Sequence, residues 1–101
     1  MEHVSAFEAL ADGTRREILK QLRGGSRTAG EIADAFHLSK PTLSHHFKVL
    51  RAAGLVRSER RGTSIVYSLQ ANALEELALE IMSLVDGAAL ATRKKKGAAS
   101  K

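Results

Sequence analysis

Residues 28–50 read T-A-G-E-I-A-D-A-F-H-L-S-K-P-T-L-S-H-H-F-K-V-L, and this stretch decides the fold. Thr28 and Glu31 have the spacing of a capping box: the hydroxyl accepts from the Glu31 amide and the carboxylate reaches back to the Thr28 amide. Ile32, Ala33 and Phe36 give the helix that follows one apolar stripe. Leu38-Ser39 interrupts it. Ser39 caps a second helix, and Pro41 sits in its first turn, where a missing N–H is harmless. Leu38 stands five residues before Leu43, the spacing of a hydrophobic staple. Two helices so closely joined form a helix-turn-helix.

Working outward, the second helix of the pair runs from about Lys40 to Ala53 and ends at Gly54. L-V-R-S-E-R (55–60) and S-I-V-Y-S-L (64–69) are strand-like runs, joined tightly through Arg61-Gly62-Thr63, where glycine is free to take a positive φ. Upstream, Val4, Phe7, Leu10 and Ala11 recur at helical spacing over 3–11. Asp12 is placed to cap a helix with Ile18, Leu19 and Leu22 inward, ended by Gly24-Gly25. A final helix is expected over roughly 71–90. The order ααααββα describes a mainly α domain with a β-hairpin wing, a winged helix-turn-helix, dimerising through its first and last helices. One domain is expected over 1–91, with a disordered basic tail at 92–101.

At about 100° per residue, Phe47 and Leu50 fall within about 40° of Leu43 and face the core. Pro41, Thr42, Ser44, His45 and Lys48 lie about 100° or more away, toward the half of a recognition helix that enters the major groove. Short hydroxyl side chains let the backbone approach, and they can bond base edges or phosphates. Ser44 and His45 are therefore assigned to base edges, and Lys40, Thr42 and Lys48 to phosphate or base. The tip of the hairpin, Arg60, Arg61 and Thr63, suits backbone phosphate or a narrow minor groove. His46, at the edge of the core stripe, is expected half-buried in packing or hydrogen bonding; His3 and His37 are expected exposed, and Tyr67 in the core.

Charge agrees once it is dissected. The net charge is +5, but residues 93–101 hold five basic groups, and without them eleven basic residues balance eleven acidic ones. Within that neutral body, 37–61 carries Lys40, Lys48, Arg51, Arg57, Arg60 and Arg61 against Glu59 alone, while 62–92 holds Glu75, Glu76, Glu80 and Asp86 with no Lys or Arg. The asymmetry implies a basic face. Cysteine is absent, which excludes disulfides and thiolate metal sites. No apolar run reaches the ~18 residues of a membrane span, and the N-terminus does not read as a signal peptide, so a cytoplasmic location is expected.

In the last helix, Leu74, Leu77, Ile81 and Leu84 recur at spacings of three and four, widened by Ala78, Leu79, Met82 and Val85. That is more apolar surface than one small domain needs, so a homodimer is expected, with Val4, Phe7, Leu74, Leu77, Ile81 and Leu84 in its interface. No Gly-rich phosphate loop and no nucleophile with a base and orienting acid are found, so no catalytic residue is assigned. Neighbouring His45 and His46 diverge on a helix and lack a third ligand at suitable spacing, so neither a metal nor a cofactor is expected. A winged-helix module docking protein or RNA remains the alternative to a binder of double-stranded operator DNA.

F-E-A-L-A-D-G-T-R-R-E-I-L (7–19), T-A-G-E-I-A (28–33), L-S-K-P-T-L-S-H-H-F-K-V-L-R-A-A-G-L-V (38–56) and R-R-G-T-S-I-V-Y-S-L (60–69) together resemble the ArsR-type bacterial repressors. Within them the likeness is to the autorepressor branch named after the sporulation-delaying operon. The resemblance implies a homodimer that sits on an operator and blocks transcription, with Ser44 and His45 where the family reads DNA. Asp12-Gly13 departs from the family's Asp-Pro, a looser helix start by ~1 kcal/mol. Metal-sensing members use cysteines on the recognition motif or His/Asp sets on the last helix. This chain has neither, which implies a member that does not sense metal at those places; a metal-responsive repressor with an unrecognised site is the alternative within the family.

Overall fold

The computed structural model describes residues 5–85. Its elements are α1 (Ala6–Leu10), α2 (Gly13–Gln21), a 3-10 turn (Leu22–Gly24), β1 (Arg27–Thr28), α3 (Ala29–Phe36), α4 (Lys40–Ala52), β2 (Val56–Arg61), β3 (Ser64–Leu69) and α5 (Ala71–Met82). The architecture is the expected winged helix-turn-helix.

Side chains fix the helix starts. Thr28 and Glu31 close their capping box reciprocally, Glu31 N–H to Thr28 Oγ1 at 3.1 Å and Thr28 N–H to Glu31 Oε1 at 2.8 Å. Ser39 Oγ accepts from the Thr42 amide at 3.3 Å, with Pro41 in the first turn of α4. Asp12 Oδ2 accepts from the Arg15 amide at 3.1 Å and starts α2. Between α3 and α4 the chain turns at His37, whose φ of 54° is left-handed, as a helix C-terminus often requires.

The core gathers Ile18 and Leu22 from the second helical segment, Ile32 from α3, Leu43, Phe47 and Leu50 from α4, Leu55, and Tyr67 from β3. Ile18, Ile32, Leu50 and Leu55 are fully enclosed. The apolar stripe read for the recognition helix is thus the face that packs. β2 and β3 pair antiparallel from Val56–Leu69 to Arg61–Ser64, and Gly62, at φ 61°, lets the two-residue loop reverse the chain.

Three expectations need correcting. The first helix was expected over 3–11, but Ser5 caps it: Ser5 Oγ accepts from the Phe7 amide at 3.1 Å and Glu8 Oε1 from the Ser5 amide at 3.2 Å, so the helix begins at Ala6. The sheet has a third strand, because Arg27 and Thr28 pair with Tyr67 and Val66 in the order β1-β3-β2. The last helix is expected to about residue 90, and residues 86–90 of that expectation lie outside the described residues; α5 ends at Met82 although the apolar pattern runs on. There the Ser83 hydroxyl donates to Glu80 O at 2.6 Å, and the Leu84 and Val85 amides bond to Ile81 and Met82, three residues back, which tightens the backbone out of α geometry. Val4, His3 and the 91/92 boundary of the basic tail lie outside the described residues.

Candidate DNA interface

Beyond the core packing of Leu43, Phe47 and Leu50, three contacts tie α4 to neighbouring elements. Phe47 and Tyr67 stack with ring centroids 4.1 Å apart and planes inclined by 20°, joining α4 to β3. Arg51 Nη1 donates to Ser58 Oγ at 3.1 Å and ties the end of α4 to β2. At its middle, Arg15 Nη1 lies 3.3 Å from His46 Nδ1 and joins α4 to α2. Burial pushes the Tyr67 phenol up, with the Arg51 cation opposing.

With Leu43, Phe47 and Leu50 turned inward, Lys40, Thr42, Ser44, His45 and Lys48 are all exposed. The Thr42 hydroxyl also accepts from Ser39 Oγ at 2.9 Å, so that side chain is held at the helix start rather than left to rotate. Arg60, Arg61 and Thr63 are exposed on the wing. Arg61 Nη2 stands 3.3 Å from Glu59 Oε1 with both side chains about two-thirds exposed, a surface pair that adds little stability. Between α3, α4 and β3 runs an open cleft of about 310 Å³, with Lys40 and Ser44 among its lining residues and Phe47 and Tyr67 forming its aromatic part.

The residues assigned to pairing divide. Phe7, Ile81 and Leu84 are 44%, 44% and 81% exposed, large apolar groups facing solvent in the single chain. Leu74 is half-buried against the core. Leu77 is 5% exposed, so its packing is satisfied within the protomer and little of it is left for a partner. Leu79 and Val85, read only as widening the stripe, are 66% and 40% exposed and extend the apolar face.

His46 is half-buried, and its neighbours could not be read from the sequence. Its Nδ1 faces the Arg15 guanidinium, and Asp12 Oδ2 lies 3.9 Å away. Guanidinium only donates, so Nδ1 accepts and the neutral ring carries its proton on Nε2. Burial, foremost, pushes the imidazole below its ordinary 6.5; Asp12 opposes this, while Arg15 and His45 add to it. The Asp12 carboxyl is held below its ordinary 3.8, chiefly by the Arg15 amide.

An exposed polar helix face beside an arginine-tipped hairpin, mounted on a helix-turn-helix, has its counterpart among known regulators. Residues 12–58 match the model of the bacterial regulatory protein arsR family. The transcriptional repressor SdpR of Bacillus subtilis is 44% identical over 72 residues, 71% of this chain and 80% of that protein. The chain belongs to the ArsR family. It is accordingly a DNA-binding transcriptional regulator and not an enzyme. The HTH-type transcriptional regulator Rv2034 of Mycobacterium tuberculosis is 42% identical over 76 residues, 75% of this chain and 71% of that one. The crystal structure of a possible transcriptional regulator for arsenical resistance superposes with a TM-score of 0.73 at 32% identity, covering 78% of this chain and 83% of that one. No helix among the described residues is long and apolar enough to cross a membrane.

Proposed function

We propose that this ArsR-family member works in the cytoplasm as a homodimeric repressor that reads its operator with the N-terminal half of α4. Ser44 and His45 meet base edges; Lys40, Thr42 and Lys48 meet phosphate or base; Arg60, Arg61 and Thr63 hold the flanking backbone. The observation that carries this reading is the orientation of α4. Leu43, Phe47 and Leu50 are buried at 5% exposure or less, while Lys40, Thr42, Ser44, His45 and Lys48 are exposed on the other side. The positive end of the helix dipole and the local excess of cations favour phosphate at that same end.

Pairing runs through Phe7 of α1 and the Leu79, Ile81, Leu84 and Val85 face at the end of α5, apolar surface that water leaves costly until a second copy covers it. A dimer of this kind sets two reading heads on one side of the duplex, about one turn or ~34 Å apart. Release does not run through a thiolate-held metal, since the chain has no cysteine. Selection from a random duplex pool tests the reading. It is expected to enrich an inverted repeat with half-sites one helical turn apart; a protein that retains every duplex equally, or none, refutes it.

A further inference from the structure

The guanidinium of Arg15 is shared between two elements with different tasks. Its Nε donates to Ala9 O at 2.7 Å and its Nη2 to Glu8 O at 3.1 Å, so it caps the carbonyl end of α1. Arg16 Nη1 takes the next carbonyl, Leu10 O, at 2.7 Å. A helix of five residues has too few internal hydrogen bonds to persist alone; buried Ala9 seats α1 on the core, and these arginines hold its carbonyl end. The remaining nitrogen, Nη1, reaches His46 in the middle of α4, between outward His45 and buried Phe47. Only 12% of the His46 side chain is exposed, and a ring that enclosed cannot trade its protein partner freely for water.

We propose that Arg15 and neutral His46 are positioning residues: through one guanidinium they fix the rotation of α4 against α1, and so couple the apolar face that carries Phe7 to the side chains that read DNA. The proposal rests on α4 being the reading helix. A shift of α1 draws Arg15 away from His46 or breaks its bonds to the Glu8 and Ala9 carbonyls. Either way the recognition helix loses a tether in its middle turn, where a small rotation displaces Ser44 and His45 together.

The pair also responds to protons. Protonation turns His46 Nδ1 from acceptor to donor and sets two cations 3.3 Å apart. The charged groups facing the ring are Arg15 and Asp12 from α2 and its cap, and His45 from α4 itself; α1 contributes backbone carbonyls through Arg15. Asp12, at 3.9 Å, offsets part of the repulsion but does not restore the lost acceptor.

Three variants test the proposal by fluorescence anisotropy on the duplex selected above and on a scrambled duplex, with folding followed by circular dichroism. His46→Asn puts Oδ1 where Nδ1 stands, accepts from Arg15 and does not titrate. It is expected to bind within about twofold of wild type at pH 8, and the ratio of wild-type to variant affinity is expected to fall several-fold toward about pH 5. His46→Leu and Arg15→Met are each expected to lose about tenfold or more on the selected duplex and little on the scrambled one, and the double variant no more than either alone. Should the leucine and methionine variants fail to fold, His46→Asn still decides. An Asn variant that tracks the wild-type pH profile, or a folded Leu variant of undiminished affinity, overturns the proposal. If His45→Ala loses sequence preference while these variants keep it, the DNA reading stands and the coupling alone falls.

Discussion

The Phe47–Tyr67 stack offers the sharpest test of how the reading helix is seated. The two rings are 5% and 6% exposed, 4.1 Å apart, and belong to α4 and the central strand of the wing. Replacing either by Leu keeps most of the apolar volume, so each single change should cost about 1.5 kcal/mol, from imperfect refilling and loss of the aromatic contact. If the stack contributes beyond buried area, the double replacement costs less than the sum of the singles by about 0.5–1.5 kcal/mol. For a domain of this size ~1 kcal/mol corresponds to about 4–8 °C in Tm, so the coupling is measurable by urea and thermal unfolding. Protein concentration must be held fixed, because pairing contributes to apparent stability. Because the stack joins α4 to β3, each single variant should also weaken operator binding. Costs that add within ~0.3 kcal/mol would refute the reasoning: the rings would then be neighbours in the core and nothing more.

Leu79→Arg, on an α5 position 66% exposed in the single chain, should give folded monomers in sedimentation and lose operator affinity; dimers that persist would move the interface elsewhere. Gly13→Pro should stabilise the chain by ~0.4–1 kcal/mol, read as a rise in Tm. Gly13 is the first residue of α2, where a proline is tolerated, and Asp12 before it is already extended at φ −94° and ψ 131°. Stability should be full above pH 6.5 and decline as pH falls through the lowered folded value of His46, since the unfolded chain takes up that proton first; Asp12 adds a second loss below 3.8. At the alkaline end the raised Tyr67 phenol contributes stability that is present below 10 and lost as pH climbs through its folded value. Flat stability between pH 5 and 8 would remove the His46 assignment.

What could be read from the sequence is what local chemistry encodes. The Thr28–Glu31 box, the Ser39–Pro41 start and the glycine of the hairpin each specify a backbone conformation within a few residues. The i, i+4, i+7 set Leu43, Phe47 and Leu50 fixes which side of α4 is left for a ligand. What escaped depends on partners far apart in the chain. β1 is two residues long, too short for alternation to register, and exists because β3 offers Arg27 and Thr28 an open edge at Tyr67 and Val66. Arg15 reads as one more surface cation until the fold brings it to His46, thirty-one positions on. Leu77 and Ile81 look equivalent on the stripe of α5, yet one is buried and the other 44% exposed, because periodicity gives a face and not its occupant.

The central claim is that the outward side of α4 distinguishes one base sequence from another. The measurement that meets it most directly is the ratio of affinities for the selected operator and a scrambled duplex, at one salt concentration, for the wild-type chain and for His45→Ala. His45 is exposed, its ring centroid 5.8 Å from that of His46, and it has no part in the buried stripe. The substitution should therefore spare folding, leave scrambled-duplex affinity nearly unchanged and lower the ratio by ~1–3 kcal/mol, about 5- to 150-fold. A ratio that stays at the wild-type value would contradict the account.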